Sequence, residues 1–133
     1  MSETFVDDAG TAAALLADLI HAARGTTRPE PVERAAVLYL DPNRRLLGRS
    51  DFAGTTEAVA PPFRTIVAEA LRLDATAMVL GHTHPRGDPR PSPADLSYTR
   101  ELSRIAAALE ITLLDHLILA DSGFVSLREA GLM

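Results

Sequence analysis

Pro85, Gly87, Pro89 and Pro91 bar any regular element between Gly81 and the helix signal at Ser92. Before this stretch lies an apolar run, TAMVLG (Thr76 to Gly81), that reads as a buried strand. After it, Leu102, Ile105, Ala106 and Leu109 recur at helical spacing. The chain must therefore pass from strand to helix through a short, stiff connector. Two histidines, His82 and His84, stand where the strand ends. In extended backbone, residues two apart face the same side, so both imidazoles can converge on one ion.

The remaining elements follow from the same reading. Ala12, Leu15, Leu16, Leu19, Ile20 and Ala23 predict a first helix, with start signals at Asp7, Asp8 and Thr11 and a stop at Gly25. TTRPEP is turn-like. AAVLYL (Ala35 to Leu40) predicts a buried strand, and DPNRR a hairpin turn into a returning strand over Leu46 to Phe52. Phe63, Ile66, Val67, Ala70 and Leu71 mark a second helix. ITLLDHLILA predicts a central strand, paired at its end with Phe124 to Leu127 across Asp121-Ser122-Gly123.

Length and composition fit one packed domain. The chain holds no cysteine, which excludes a disulfide framework and a cysteine-based zinc site, so any metal must sit on His and carboxylate groups. Eighteen acidic against 13 basic side chains disfavour a general affinity for nucleic acid, despite Arg44, Arg45 and Arg49 standing close together and Arg86 and Arg90 flanking the histidines. No apolar run is long enough for a membrane span, and the acidic start MSETFVDDAG is no signal peptide, so the expected location is cytoplasmic.

The carboxylate that completes the histidine pair is Asp95, at the start of the helix after the connector. Two neutral imidazoles and one carboxylate make a three-ligand zinc (Zn2+) site that leaves a fourth position open. Ser92-Pro93-Ala94-Asp95 also has a purely structural reading: Ser92 as N-cap, Pro93 at the first helical position and Asp95 at the third form a variant capping box.

HTHP followed by SPAD resembles the JAMM signature of the JAB/MPN metalloproteins, and VLYLDPNRRLL, GHTHPRGDPRPSPADLSYT and ITLLDHLIL resemble the JAB domain of the RadC family. The resemblance covers roughly residues 30 to 133. It implies an α/β (α+β) fold, a mixed β-sheet flanked by helices, over residues 28–133. Residues 1–27 stand as an N-terminal helix and linker, and the helix-hairpin-helix module that RadC proteins often carry upstream is not evident. It also implies His82, His84 and Asp95 as zinc ligands, and Ser92 as the donor to a tetrahedral oxyanion. A glutamate from an earlier strand would take a proton from the attacking water.

That glutamate is where the sequence departs from the family. Counting back from Gly54-Thr55 puts Arg49 at or near its place; Asp51, two residues on and on the same strand face, is the expected stand-in, ahead of Glu57. Phe63-Arg64-Thr65 keeps only the arginine of the family's Pro-Arg-Glu. Asp115 and His116 interrupt an apolar strand and must face opposite sides. The bland reading makes one a satisfied buried group and the other a surface residue; the sharper one makes one of them a partner that orients a ligand imidazole.

Two functional readings follow. The first is a zinc-dependent hydrolase of a protein or peptide amide or isopeptide bond, with Asp51 as base. The second is a catalytically weak or inactive JAB-fold metal-binding or interaction module, linked to DNA repair as the RadC name suggests.

Overall fold

The three apolar runs become the three inner strands of one sheet. The computed structural model describes residues 3–24, 33–54, 60–84 and 87–133. Gly25, the TTRPEP segment, Thr55, Glu57, Pro85 and Arg86 lie outside the described residues. Strands β1 (Arg34–Leu40), β2 (Leu46–Ala53), β3 (Ala77–Thr83), β4 (Thr112–Ala120) and β5 (Gly123–Ser126) take the order β2-β1-β3-β4-β5. Only β3 and β4 run parallel; the other neighbours are antiparallel. The parallel pair needs a long crossover, supplied by the longest helix, α4 (Pro93–Ala108).

Helices cover both faces. On one lie α1 (Ala9–Leu15) and α2 (Asp18–Arg24); Ala12, Leu19 and, between the two helices, Leu16 pack on Ala36, Leu38, Val79, Leu117 and Leu119. On the other lie α3 (Phe63–Arg72) and α4, whose Ile66, Ala70, Leu102 and Ala106 pack on Val37, Tyr39, Met78 and Leu80. This double coverage explains why β1 and β3 read as continuous apolar runs rather than alternating ones. The fold is a mixed α+β sheet flanked by helices, as the sequence predicts.

Three local differences from the sequence reading matter. The single predicted first helix is two, with a turn at Leu16–Ala17, and Asp18 lies in the first turn of α2, where a negative charge suits the helix dipole. Strand β3 continues through His82 to Thr83 instead of stopping at Gly81. Leu109, expected on the buried side of α4, is 44% exposed just past the helix end.

Leu16 is fully buried, which contributes roughly 1.5–3 kcal/mol. It presses on β3 where the strand has no side chain: a Cβ on Gly81 would stand 2.5 Å from Leu16 Cδ1. The residue next to His82 is therefore glycine because the opposite helical layer approaches the strand there. Among the described residues, no helix is long and apolar enough to cross a membrane.

Candidate metal centre

Register determines which side chains meet. Ala35 pairs with both His82 on β3 and Phe52 on β2, so these three share the α4 face of the sheet. Ala36 pairs with Gly81 and Asp51, which share the opposite face. Glu33, two residues before Ala35, returns to the α4 face and lies beside the histidines. The peptide that joins it to Arg34 is held from both sides: Gly54 N donates to Glu33 O at 2.9 Å, and Arg34 N donates to Thr83 Oγ1 at 2.9 Å.

The predicted ligand residues do converge. His82 Nε2 and His84 Nε2 lie 2.9 Å apart. Asp95 brings Oδ1 to 3.2 Å from His82 Nε2 and Oδ2 to 3.1 Å from His84 Nε2. In a tetrahedral zinc site with bonds of ~2.0–2.1 Å, neighbouring donor atoms stand about 3.3 Å apart, so each of these separations is near that of two ligands on one ion. Glu33 Oε1 is 3.7 Å from His82 Nε2. Glu33, His82 and His84 each offer a donor atom within 4.8 Å of one another, a grouping able to hold a metal ion.

Local folding explains why Asp95 points there. Ser92 Oγ accepts from Asp95 N at 3.0 Å, and Ser92 N donates to Asp95 Oδ2 at 2.8 Å, so both halves of the capping box are formed. The box that starts α4 also aims the carboxylate. The structural reading of Ser92 and the geometric reading of Asp95 are thus one arrangement. Because the Ser92 hydroxyl accepts in this box, its own hydrogen remains free to be donated.

Each histidine is held from behind. His84 Nδ1 donates to Asp88 O at 2.8 Å, which leaves Nε2 with its lone pair for a metal. The turn that carries Asp88 passes through Gly87 at φ +89°, a left-handed conformation suited to glycine. His82 Nδ1 lies 2.6 Å from His116 Nε2, and His116 Nδ1 lies 2.5 Å from Thr99 Oγ1. His116 is 2% exposed and faces the centre, whereas Asp115 faces away. The Asp115 carboxylate accepts from Ser126 Oγ at 2.5 Å, from His116 N at 2.7 Å and from Arg128 N at 3.1 Å. Both residues are buried, so neither is the surface residue that the bland reading requires.

Protonation follows from these contacts. Burial alone would raise the Asp95 carboxyl, but its close contacts with the His82 and His84 imidazoles hold it well below the usual carboxylate range. The bond to Asp95 raises His84, against the effect of burial. Burial pushes Glu33 up to about 7; positive charge on His84 opposes the shift and Asp95 adds to it. Burial lowers His116 to about 3, with the His82 charge acting in the same direction. His116 is therefore neutral.

The structure does not bring Asp51 to the centre. It lies on the α1/α2 face, 59% exposed at its side chain, with Oδ1 2.7 Å from Arg49 Nη2. Arg49 continues to Asp18 Oδ1 at 3.0 Å and to Leu15 O at 3.1 Å. Arg49 and Asp51 share a strand face as the sequence predicts, but it is the face away from the histidines. The acidic residue that joins Asp95 at the centre is Glu33, which sequence reasoning missed. Its only signal is an acidic residue leading into an apolar strand, and the antiparallel pairing of β1 with β3 gives that signal its meaning.

Comparison with known proteins adds an independent line. The model of the RadC-like JAB domain matches residues 11–132. A UPF0758 protein of Bordetella avium is 43% identical over 105 residues, 78% of this chain and 47% of the relative. UPF0758 proteins of Acaryochloris marina and Thermosynechococcus vestitus are each 42% identical, over 95% and 96% of this chain and 49% and 48% of the relative. The chain spans about half the length of the curated relatives it matches.

Proposed function

The chain belongs to the RadC-like JAB domain family, and on that premise we propose that it is a zinc-dependent hydrolase of amide or isopeptide bonds in a protein or peptide substrate. The single observation that carries this reading is the meeting of His82, His84 and Asp95 at edges of 2.9–3.2 Å with the Glu33 carboxylate at their rim. His82, His84 and Asp95 are the ligands in this reading, because Asp95 contacts both imidazoles more closely than Glu33 contacts His82. An all-nitrogen-and-oxygen donor set of this kind suits zinc. When bound, zinc supplies Lewis acidity that lowers the pKa of a water toward ~7.

The protein's own groups then divide the work. Glu33 takes a proton from the attacking water and returns it to the leaving amine. Ser92 donates its free hydroxyl hydrogen to the oxygen that becomes negative as the carbonyl turns tetrahedral. The N-terminus of α4, which Ser92 caps, favours negative charge at the same place. Assigning the base to Glu33 rather than Asp51 removes the argument for a non-catalytic module, which rested on an arginine at the expected base position.

The test is hydrolysis of model amide and isopeptide substrates, with zinc content measured in each sample. We expect Glu33→Gln to lose ~10²–10⁴-fold in kcat while retaining zinc. Asp51→Asn should stay within about twofold of wild type, as expected for a surface ion pair remote from the centre. An inactive zinc-loaded wild type, or a fully active Glu33→Gln, overturns the reading. Loss of zinc from Glu33→Gln would instead make Glu33 a ligand.

A further inference from the structure

His116 is a costly residue where it stands. It is 2% exposed in β4 and is followed there by buried Leu117 and Ile118, where either ring nitrogen left unpaired would be expensive. Neither is unpaired, and the direction of each bond can be deduced. Thr99, in the second turn of α4, lies 2.7 Å from Asp95 O, a carbonyl that can only accept. The Thr99 hydroxyl hydrogen therefore points at Asp95 O, as is common for a threonine in a helix. With its only hydrogen so used, Thr99 Oγ1 must accept from His116 Nδ1–H. At a pH where imidazoles are neutral, a His116 protonated at Nδ1 carries a lone pair on Nε2, which must accept from His82 Nδ1–H. His82 Nε2 is then left bare, facing Asp95 and His84.

The reverse direction would point the Thr99 hydroxyl at His116 and set two lone pairs against each other across 2.7 Å at Asp95 O. It would also leave a hydrogen on His82 Nε2, a nitrogen that then could not bind a metal. We infer that His116, set by Thr99, is a positioning residue: it accepts the His82 Nδ1 hydrogen and so fixes His82 in the tautomer that presents Nε2 to a divalent metal. The inference rests on the reading of the centre as a metal site. It links the first two turns of α4 to both ends of the centre, since Asp95 supplies a carboxylate to the site and its backbone carbonyl to the chain that sets His82.

The test uses the full chain with 15N-labelled histidine, stripped of metal, at a pH above the imidazole range, together with zinc affinity from chelator competition. Wild type should show His82 protonated at Nδ1 and bare at Nε2. His116→Leu removes the acceptor; it should lose that signature and weaken zinc binding ~10–100-fold. His116→Gln, whose Oε1 can accept in place of Nε2, should restore the tautomer and most of the affinity. A packing role alone would not produce this recovery in step with the tautomer. His82 protonated at Nε2 in wild type, unchanged zinc affinity in a folded His116→Leu, or a His116→Gln as weak as His116→Leu would each overturn the inference. Should His116→Leu fail to fold, Thr99→Val against Thr99→Ser decides: weaker binding in the valine variant with recovery in the serine variant supports it, and equal affinities overturn it. If wild type binds no zinc, the metal reading fails, and the His82 tautomer in wild type and His116→Gln still decides whether His116 positions that ring.

Discussion

Two polar clusters sit on opposite faces of the same sheet, only a strand or two apart, and they are built on different principles. On the α1/α2 face, Arg49 joins Asp18 and Asp51, whose side chains are 68% and 59% exposed. On the α4 face, Glu33, His82, His84, Asp95, Thr99 and His116 are buried or half-buried, and hydrogen bonds run in series from His82 through His116 and Thr99 to Asp95 O. Water screens the first cluster, and its members can part at little cost. The second is largely withdrawn from water, so an unmet donor or acceptor in its buried part would be expensive, and the geometry is held. Both clusters contain carboxylates, but only the buried one fixes donor atoms at metal-binding separations.

The contrast can be broken in three places. The largest effect is expected from Asp95→Ala, which should weaken zinc binding by more than ~100-fold, beyond what loss of a supporting contact produces. Asp51→Ala, removing the same group from the exposed cluster, should leave affinity within about twofold. Elemental analysis and chelator competition on both variants check this pair, and full zinc occupancy in Asp95→Ala would sink the ligand assignment.

A smaller effect is expected at the point where the buried cluster meets the helix start. Ser92→Ala removes one half of the capping box and should cost about 1 kcal/mol in the metal-free protein, read from denaturant or thermal melts. An unshifted melt would mean that the cap contributes nothing to α4.

Arg49→Met should have the smallest effect, under ~1 kcal/mol, and the difference from wild type should shrink as salt is added. A large, salt-independent loss would show that the exposed cluster is held as rigidly as the buried one and would erase the comparison.

Much of this was legible along the chain. The element order, the capping box at Ser92 and the same-face histidine pair all depend on residues within a few positions of one another, where local geometry alone decides. The break at Leu16–Ala17 was not legible, because no proline or glycine marks it and the apolar spacing runs on through it. Glu33 was not legible either. It lies 49 residues before His82, and only the antiparallel register of β1 on β3 brings it onto the same face.

The faces of β4 show most clearly where local information stops. Met78 pairs with Leu113 and Val79 with Asp115, so the strand slips by one residue at Leu114. A slip of one residue exchanges the faces of every side chain beyond it. Leu113 therefore packs against the α4 side, while Asp115, Leu117 and Leu119 turn to the α1 side and His116 reaches His82. The sequence by itself determined the strand, the histidine pair and the helix start, because each follows from the period of its own element. It could not determine which of Asp115 and His116 faces the centre: a strand covered on both faces is apolar throughout and carries no alternation to mark its sides. Only pairing with β3, with its bulge, set that choice.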